Sequence, residues 1–197
     1  QATWYVDPLD GTTNFISGIP HYAVSIALVG HAGAHVEGPG VLPDDTPLIG
    51  VIYDPNREEL FSAMYGIGAW SNGRRIYCSG TKDLRASVLA TGFPFRDFSF
   101  EHQYMPTLHE AIATTRGVRR MGSAALDLAW TACGRYDGYW EMGLAPWDVA
   151  AGVALVRAAG GVCEDIRHRR PWPEDGYVYA ANPRIAPALD AMIAKHL

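Results

Sequence analysis

The sequence predicts a mixed α/β fold (α+β in character) that forms a single layered domain over residues 1–197. Hydrophobic residues make up 48% of the chain, which is enough to fill a sizeable core. The first half carries β-branched, alternating segments separated by Gly, Pro and Asn turns, whereas the second half alternates helical apolar spacing with short apolar strands. No repeat, linker or low-complexity tract divides the chain, so we expect one domain.

The first predicted strand is Thr3–Val6, a β-branched and aromatic segment that runs into a turn at Asp-Pro and Asp-Gly. In His21–Val29, large apolar side chains alternate with Ala and Ser, which is typical of a strand covered on both faces. Residues 30–47 are rich in Gly and Pro and predict an inserted surface loop, in which we expect His31 and His35 to be solvated rather than metal-bound. Further strands are predicted at Leu48–Tyr53, Glu59–Met64, Ala69–Tyr77 (with a turn at Asn72-Gly73) and Ala86–Thr91.

Helices alternate with strands in the second half. Ser123 is a good N-cap for the helix that follows it, and Pro146 suits the first turn of another helix, which Gly160-Gly161 ends. Helices are therefore predicted at Glu101–Thr115, Ser123–Cys133, from Pro146 to Gly160, and from Asn182-Pro183 to Leu197. Strands are predicted at Tyr136–Trp140, Val162–Asp165 and Tyr177–Ala181.

The composition argues against several function classes. Lys and Arg number 16 against 21 Asp and Glu, and the net charge of −5 gives no general attraction for polyanions, so no nucleic-acid partner is expected. The longest apolar stretches, Tyr22–Val29 and Val149–Ala159, are shorter than the roughly 18–20 residues of a membrane-spanning helix. The cysteines Cys78, Cys133 and Cys163 are far apart and odd in number, which suits a reducing compartment and predicts a cytoplasmic protein.

The strongest chemical signal is the segment DPLDGTT at residues 7–13. Asp7 and Asp10 lie three residues apart around a proline-stiffened turn, and their carboxylates, together with the Leu9 carbonyl, offer the oxygen ligands that Mg²⁺ prefers. The amides of Gly11 and Thr12 fall at a predicted helix start, where backbone N–H groups can hold a phosphate. Asp-Pro or Asp-Gly alone would indicate an ordinary turn, but the whole segment favours a metal and phosphate site.

Two further elements allow either a functional or a structural interpretation. Glu141 and Asp148 flank a GLAPW turn, where Asp148 could simply favour a helix start and Glu141 could be an edge charge. The segment RRMGSAA at residues 119–125 brings small residues and free amides to a helix N-terminus, so it could bind an anion or only begin a helix.

A phosphatase with an aspartate nucleophile is an alternative chemistry. Haloacid-dehalogenase-like enzymes place their nucleophile and acid two residues apart, in an Asp-x-Asp-Gly-Thr segment at a strand end. Here the spacing is three, with Pro8 between the carboxylates, so the second carboxylate should point elsewhere. Metal ligation is therefore favoured over an aspartyl-phosphate intermediate.

Taken together, these segments resemble the inositol monophosphatase family, the lithium-sensitive Mg²⁺-dependent phosphomonoesterases. Trp4–Phe15 is similar to the first signature of that family, and Ala145–Gly161 is similar to the second. Gly122–Ala125 and Tyr139–Gly143 match in order between them, and only residues 30–47 look foreign. The resemblance implies a layered α/β/α/β/α sandwich and a homodimer.

Carried over residue by residue, the resemblance implies that Asp7, the Leu9 carbonyl, Asp10 and Asp148 bind two or three Mg²⁺ ions, with Asp7 bridging two of them and Li⁺ acting as an inhibitor. Asp7, Asp10 and Thr12 would be the catalytic residues, with Thr12 helping to orient the attacking water. The implied substrate contacts are the amides of Gly11 and Thr12 and the turn at Gly122, Ser123 and Ala124 around phosphate, Glu141 on the hydroxyls of a polyol, and Asp10 and Asp148.

The family also uses a glutamate from upstream of its first signature, and the chain starts at Gln1 with no such segment. We therefore expect an N-terminally incomplete domain, unless another carboxylate such as Asp44 or Asp45 replaces that ligand. The predicted function is Mg²⁺-dependent hydrolysis of a small phosphorylated polyol or sugar, first of all myo-inositol monophosphate, by direct attack of a metal-activated water. The alternatives are fructose 1,6-bisphosphate, histidinol phosphate or a sulfated nucleotide as substrate, or a non-catalytic metal- or phosphate-binding homologue.

Overall fold

A computed structural model describes residues 1–37, 40–93 and 98–197. Its strands are β1 (Ala2–Asp10), β2 (Ala23–Gly30), β3 (His35–Val36), β4 (Gly40–Val41), β5 (Thr46–Asp54), β6 (Glu59–Met64), β7 (Gly68–Ser71), β8 (Arg74–Arg75), β9 (Val88–Thr91), β10 (Gly117–Arg119), β11 (Gly138–Glu141), β12 (Val162–Asp165) and β13 (Val178–Ala181). Its helices are α1 (Thr12–Ile16), α2 (Glu101–Thr114), α3 (Ala124–Ala132), α4 (Pro146–Ala158) and α5 (Ala186–Ala194), and a short 3₁₀ turn covers Leu84–Ala86.

The first half of the chain forms a six-stranded antiparallel sheet in the order β1-β2-β5-β6-β7-β8. The predicted hairpin at Asn72-Gly73 is confirmed, because it joins β7 to β8. The prediction that the first strand stops at Val6 is wrong. β1 continues to Asp10, and its register against β2 shifts between Asp7 and Asp10, as at a β-bulge. The irregularity bends the strand where its two carboxylates lie.

The second sheet has five strands in the order β10-β9-β11-β13-β12. β10, β9 and β11 are parallel to one another, whereas β13 and β12 continue the sheet in antiparallel pairs. The three-residue edge strand β10 was not predicted, because so short a segment carries no periodicity of its own. The last helix also begins later than predicted: Asn182 caps a turn by accepting the N–H groups of Arg184 and Ile185, and α5 starts at Ala186.

The sheets and helices stack in layers. α3 and α4 pack against each other between the two sheets, and α2 and α5 cover the far face of the five-stranded sheet. This arrangement agrees with the predicted layered sandwich, although the described residues place no helix on the outer face of the six-stranded sheet. That face presents exposed apolar side chains from three strands: Trp4, Val6, Tyr53, Leu60 and Met64.

The two faces of β2 are not equally covered, contrary to the prediction. Its small residues, Ala23, Ser25 and Ala27, are buried, and the Ser25 hydroxyl lies 3.4 Å from the carbonyl oxygen of Trp147 in α4. The larger side chains of the strand lie on the other face and are only half-buried. Small residues at the interface let the helix approach the sheet backbone closely, and this approach brings the N-terminus of α4 to the end of β1.

The prediction of a loop over residues 30–47 with solvated histidines is wrong in part. β2 extends to Gly30, β5 begins at Thr46, and the short strands β3 and β4 pair between them. The His31 ring is hydrogen-bonded on both sides, with Nε2 2.9 Å from Thr3 Oγ1 and Nδ1 3.0 Å from Asp45 Oδ2. Asp45 also accepts the N–H of Ala32, so this carboxylate anchors the segment to β1. His35 is exposed, as predicted.

Within the described ranges, none of the helices has the length and apolar character needed to span a bilayer.

Candidate active site

A cavity of about 420 Å³ opens where the end of β1, the N-termini of α3 and α4 and the end of β11 meet. Most of the residues predicted to act on substrate or metal line it. They are Asp7, Leu9, Asp10, Gly11, Thr12, Gly122, Ala124, Glu141 and Asp148. Phe93, Phe100 and Trp147 add an apolar rim that the sequence interpretation did not include.

The DPLDGTT segment forms a turn whose own hydrogen bonds orient its oxygens. Asp7 Oδ1 accepts the N–H of Leu9 at 2.9 Å, and the Leu9 carbonyl accepts the Thr12 hydroxyl at 3.0 Å. Gly11 then adopts φ +87°, and a Cβ at this position would lie 3.0 Å from the His21 carbonyl oxygen. Glycine is therefore required at this position both by its left-handed backbone conformation and by the lack of space.

Asp10 is buried and connects β1 to α3. Its Oδ2 accepts hydrogen bonds from the Ser123 hydroxyl and from the N–H of Ala125 at 2.9 Å. Ser123 is also the N-cap of α3, as predicted, since its hydroxyl accepts the N–H of Leu126. The Ser123 side chain is thus engaged with Asp10 and the helix and does not line the cavity. A contact between substrate and its backbone stays a prediction.

Asp148 reaches the cavity from the first turn of α4. Its Oδ2 accepts the N–H of Ala145 at 2.8 Å, a bond that holds the carboxylate at the helix start. Asp148 therefore serves the helix-start role that the sequence allowed, and it also lies in the cavity. The two interpretations are compatible, because a hydrogen bond to one carboxylate oxygen fixes the orientation of the whole group.

Carboxylate oxygens of Asp7, Asp10 and Asp148 lie within 4.8 Å of one another, and they form the one such acidic or Cys/His group in the described ranges. Two ligands on opposite sides of a Mg²⁺ ion are about 4.2 Å apart, since each Mg–O bond is about 2.1 Å. The group therefore has the donor chemistry and nearly the spacing that this ion requires. Asp45, which was considered as a replacement ligand, is not part of it.

The electrostatics of the cavity also favour a cation. Burial raises the pKa of Asp10 to about 7, and the neighbouring charges of Asp148 and Asp7 raise it further against the hydrogen bonds from Ser123 and Ala125. Burial likewise raises the pKa of Glu141 to about 7, with a further contribution from the charge of Asp10. A divalent cation among these groups would relieve the repulsion and favour their ionised forms.

Comparison with known proteins decides the family. The family model for the inositol monophosphatases matches residues 1–197. The chain belongs to the inositol monophosphatase family.

Relatives in this family carry two kinds of name. The Nus factor SuhB of Pseudomonas aeruginosa is 44% identical over 201 residues, which cover 98% of this chain and 68% of the relative. The structure of the extragenic suppressor protein SuhB from Bartonella henselae has 40% identity and a TM-score of 0.87, over 100% of this chain and 70% of that one. The structure of inositol monophosphatase from Anabaena has 39% identity and a TM-score of 0.82, over 100% of this chain and 73% of that one.

In this inositol monophosphatase chain, Glu141 lies at the end of β11 and faces the same cavity. Its Oε2 accepts the Tyr139 hydroxyl at 2.7 Å, which leaves the rest of the carboxylate available to a substrate. Burial raises the pKa of Tyr139 well above its usual value, so the phenol stays protonated and donates. Glu141 is thus held by its own strand and is not the simple edge charge that the sequence allowed.

Two residues of the site were missed or undervalued. Asn14 is buried, and its Nδ2 donates to the carbonyls of His21 and Met121, both at 2.8 Å, so that it ties the DPLDGTT turn to the turn before α3. A buried Asn directly after a Thr-Thr pair gave no sequence signal of its own. Arg120 also lines the cavity, although its segment was considered only for its backbone amides.

Proposed function

We propose that this chain carries the active site of a Mg²⁺-dependent phosphomonoesterase that acts on a small phosphorylated polyol or sugar, with myo-inositol monophosphate as the first candidate. The observation that carries the proposal is the convergence of Asp7, Asp10 and Asp148 within 4.8 Å, beside the backbone of Gly11 and Thr12. Membership of the inositol monophosphatase family supports the same chemistry.

Asp7, the Leu9 carbonyl, Asp10 and Asp148 would hold the Mg²⁺ ions. When bound, such ions lower the pKa of a coordinated water and neutralise charge on the phosphate and on the leaving oxygen. The chain prepares these ligands in advance, because Leu9, Ser123, Ala125 and Ala145 donate hydrogen bonds to the carboxylates.

Thr12 is placed to orient the attacking water. Its hydroxyl hydrogen is directed to the Leu9 carbonyl, so its oxygen lone pairs are available to accept a hydrogen bond from the water. The backbone amides of Gly11 and Thr12, and the turn at Gly122 and Ala124, line the cavity where phosphate oxygens would accept hydrogen bonds.

Glu141 would recognise the alcohol portion of the substrate. A carboxylate accepts hydrogen bonds only, so it suits the hydroxyls of a polyol. No covalent intermediate is required, because in this proposal the carboxylates bind metal rather than attack phosphorus. The Asp10 carboxylate in particular is engaged by Ser123 and Ala125.

Phosphate release by the full-length protein that contains residues 1–197 tests the proposal. With Mg²⁺ present, the assay compares myo-inositol 1-phosphate, histidinol phosphate, fructose 1,6-bisphosphate and a sulfated nucleotide, with EDTA as the control. An ester that is chiral at phosphorus then separates the mechanisms, since direct attack by water inverts the configuration and an aspartyl-phosphate intermediate retains it. Retention, or turnover that persists in EDTA, would contradict the proposed mechanism.

A second role is favoured by the name Nus factor SuhB, which several relatives at 43–44% identity carry. We propose as the alternative that the domain serves as a Nus factor, a binding role that needs no turnover. Complementation of a deletion strain by the Asp7→Asn variant distinguishes the two, because a binding role survives loss of catalysis. The homodimer, the cytoplasmic location and the lack of a nucleic-acid partner stay predictions.

A further inference from the structure

The charge of the cavity is uneven. Among the described residues that line it, Asp7, Asp10, Glu141 and Asp148 are acidic, and Arg120 is the one Lys or Arg. The three aspartates lie together on the metal side. A single guanidinium in a cavity that is otherwise acidic calls for a function of its own, because the aspartates alone would attract the metal.

Several contacts place the Arg120 guanidinium away from the aspartates. Its Nη1 is 2.8 Å from the point that a Cβ on Gly122 would occupy, so it lies beside the turn that leads into α3. Its Cζ lies 5.2 Å from the centroid of the Phe93 ring, on the apolar rim. Stacking on an aromatic face holds a guanidinium in one plane and leaves its edge N–H groups directed outward.

Arg120 also acts on the groups near the alcohol side. Its positive charge opposes the rise in the pKa of Glu141, and it has the same effect on buried Asp127 behind the cavity. A guanidinium carries five N–H donors, so it can hold a protein neighbour and still donate to a substrate. The fork of paired donors matches a carboxylate or phosphate better than it matches a hydroxyl.

We propose that Arg120 binds a second anionic group on the alcohol portion of the substrate, so that the site accepts phosphomonoesters bearing a further carboxylate or phosphate in addition to neutral polyol phosphates. The inference rests on the proposed phosphomonoesterase function and extends its substrate class. In this arrangement the reacting phosphate lies at the aspartates, and the second anion lies against Arg120 and the rim at Phe93.

A matched pair of substrates isolates the second anion. Glycerol 3-phosphate and 3-phosphoglycerate have the same carbon chain, and they differ in whether a hydroxymethyl group or a carboxylate lies opposite the phosphate. For the full-length protein in Mg²⁺, Arg120→Gln should lower kcat/KM for 3-phosphoglycerate roughly tenfold to a hundredfold more than for glycerol 3-phosphate, the effect of losing a charge-assisted hydrogen bond. Arg120→Lys should recover part of this difference, because it keeps the charge but not the fork.

Arg119→Gln is the control. Arg119 precedes Arg120 and carries the same charge, but its guanidinium is exposed, bonds to the Val118 carbonyl and does not line the cavity. The ratio of the two substrates should not change in this variant. A ratio that is also unchanged in Arg120→Gln, with both esters hydrolysed, overturns the inference while the phosphatase function stands.

Calorimetry keeps the two claims separate. If wild-type protein hydrolyses neither ester, the proposed function fails, and the dissociation constants of the two compounds in Mg²⁺ then test Arg120 directly. Tighter binding of 3-phosphoglycerate that depends on Arg120 supports the inference. Equal binding in wild type and Arg120→Gln refutes it, provided that the melting temperatures show both proteins to be folded.

Discussion

Gly50 lies far from the cavity, yet it should control the position of Asp148. A Cβ on Gly50 would lie 3.0 Å from Ala151 Cα, 3.0 Å from Ala154 Cβ, and still nearer to the Ala151 carbonyl oxygen. Helix α4 therefore packs directly on the backbone of β5, and Ala151 is less than one helical turn from Asp148. In Gly50→Ala the helix has to retreat.

The size of the retreat follows from the contact distances. Ordinary contact begins at 3.4 Å, so separation from Ala151 Cα requires 3.4 − 3.0 Å, at least 0.4 Å, and the carbonyl oxygen requires more. Overpacking of this kind costs about 1–3 kcal/mol, which corresponds to a fall in melting temperature of roughly 3–10 °C. A misplacement of 1 Å costs on the order of a hundredfold in rate, so 0.4 Å corresponds to roughly sixfold.

The assay is a Mg²⁺ titration of phosphate release, below the melting temperature of the variant, together with thermal unfolding. Gly50→Ala should raise the Mg²⁺ concentration needed for half-maximal rate and lower the maximal rate. Gly80→Ala is the matched control, since a Cβ there meets nothing within 4 Å. A Gly50→Ala protein with the wild-type melting temperature and Mg²⁺ response would refute the argument that this contact positions Asp148.

Three further predictions concern single side chains. Asp7→Asn keeps an acceptor for the N–H of Leu9 but removes a charge that repels Asp10, so turnover should fall at least a hundredfold while the melting temperature in EDTA stays equal or rises; a near-normal rate at saturating Mg²⁺ would contradict the metal assignment. Glu141→Gln should weaken transition-state binding of polyol phosphates by about 1–3 kcal/mol and spare an aryl phosphate, and equal loss of kcat/KM on both would make Glu141 structural or metal-linked instead. His21 is 2% exposed, and burial together with the charge of Arg57 lowers its pKa to about 4, so the unfolded chain takes up a proton below pH 6.5 that the folded chain refuses. Stability should therefore be lost as pH falls from 6.5 to 4, by about 3 kcal/mol in total; chemical denaturation should show this slope reduced in His21→Phe and kept in a variant of the exposed His35, and an unchanged slope in His21→Phe would exclude His21 as its source.

The sequence by itself determined the parts of the site that are contiguous in the chain. Asp7, Leu9, Asp10, Gly11 and Thr12 line the cavity as predicted, because a proline-stiffened turn and a short helix position neighbouring residues through local hydrogen bonds. The N-cap at Ser123 was predictable for the same reason. Most strands and helices also appear where their periodicity and turn residues place them, since these signals act over a few residues.

Tertiary structure alone decided which distant groups meet. Asp148 reaches Asp7 because α4 packs closely on Gly50 and on the small residues of β2, and no local pattern encodes that approach. The bulge in β1 depends on its register against β2, and the bonds of His31 to Thr3 and Asp45 depend on how residues 30–47 fold back. In each case the arrangement is set by packing between segments far apart in the chain, where shape and burial act across space rather than along the sequence.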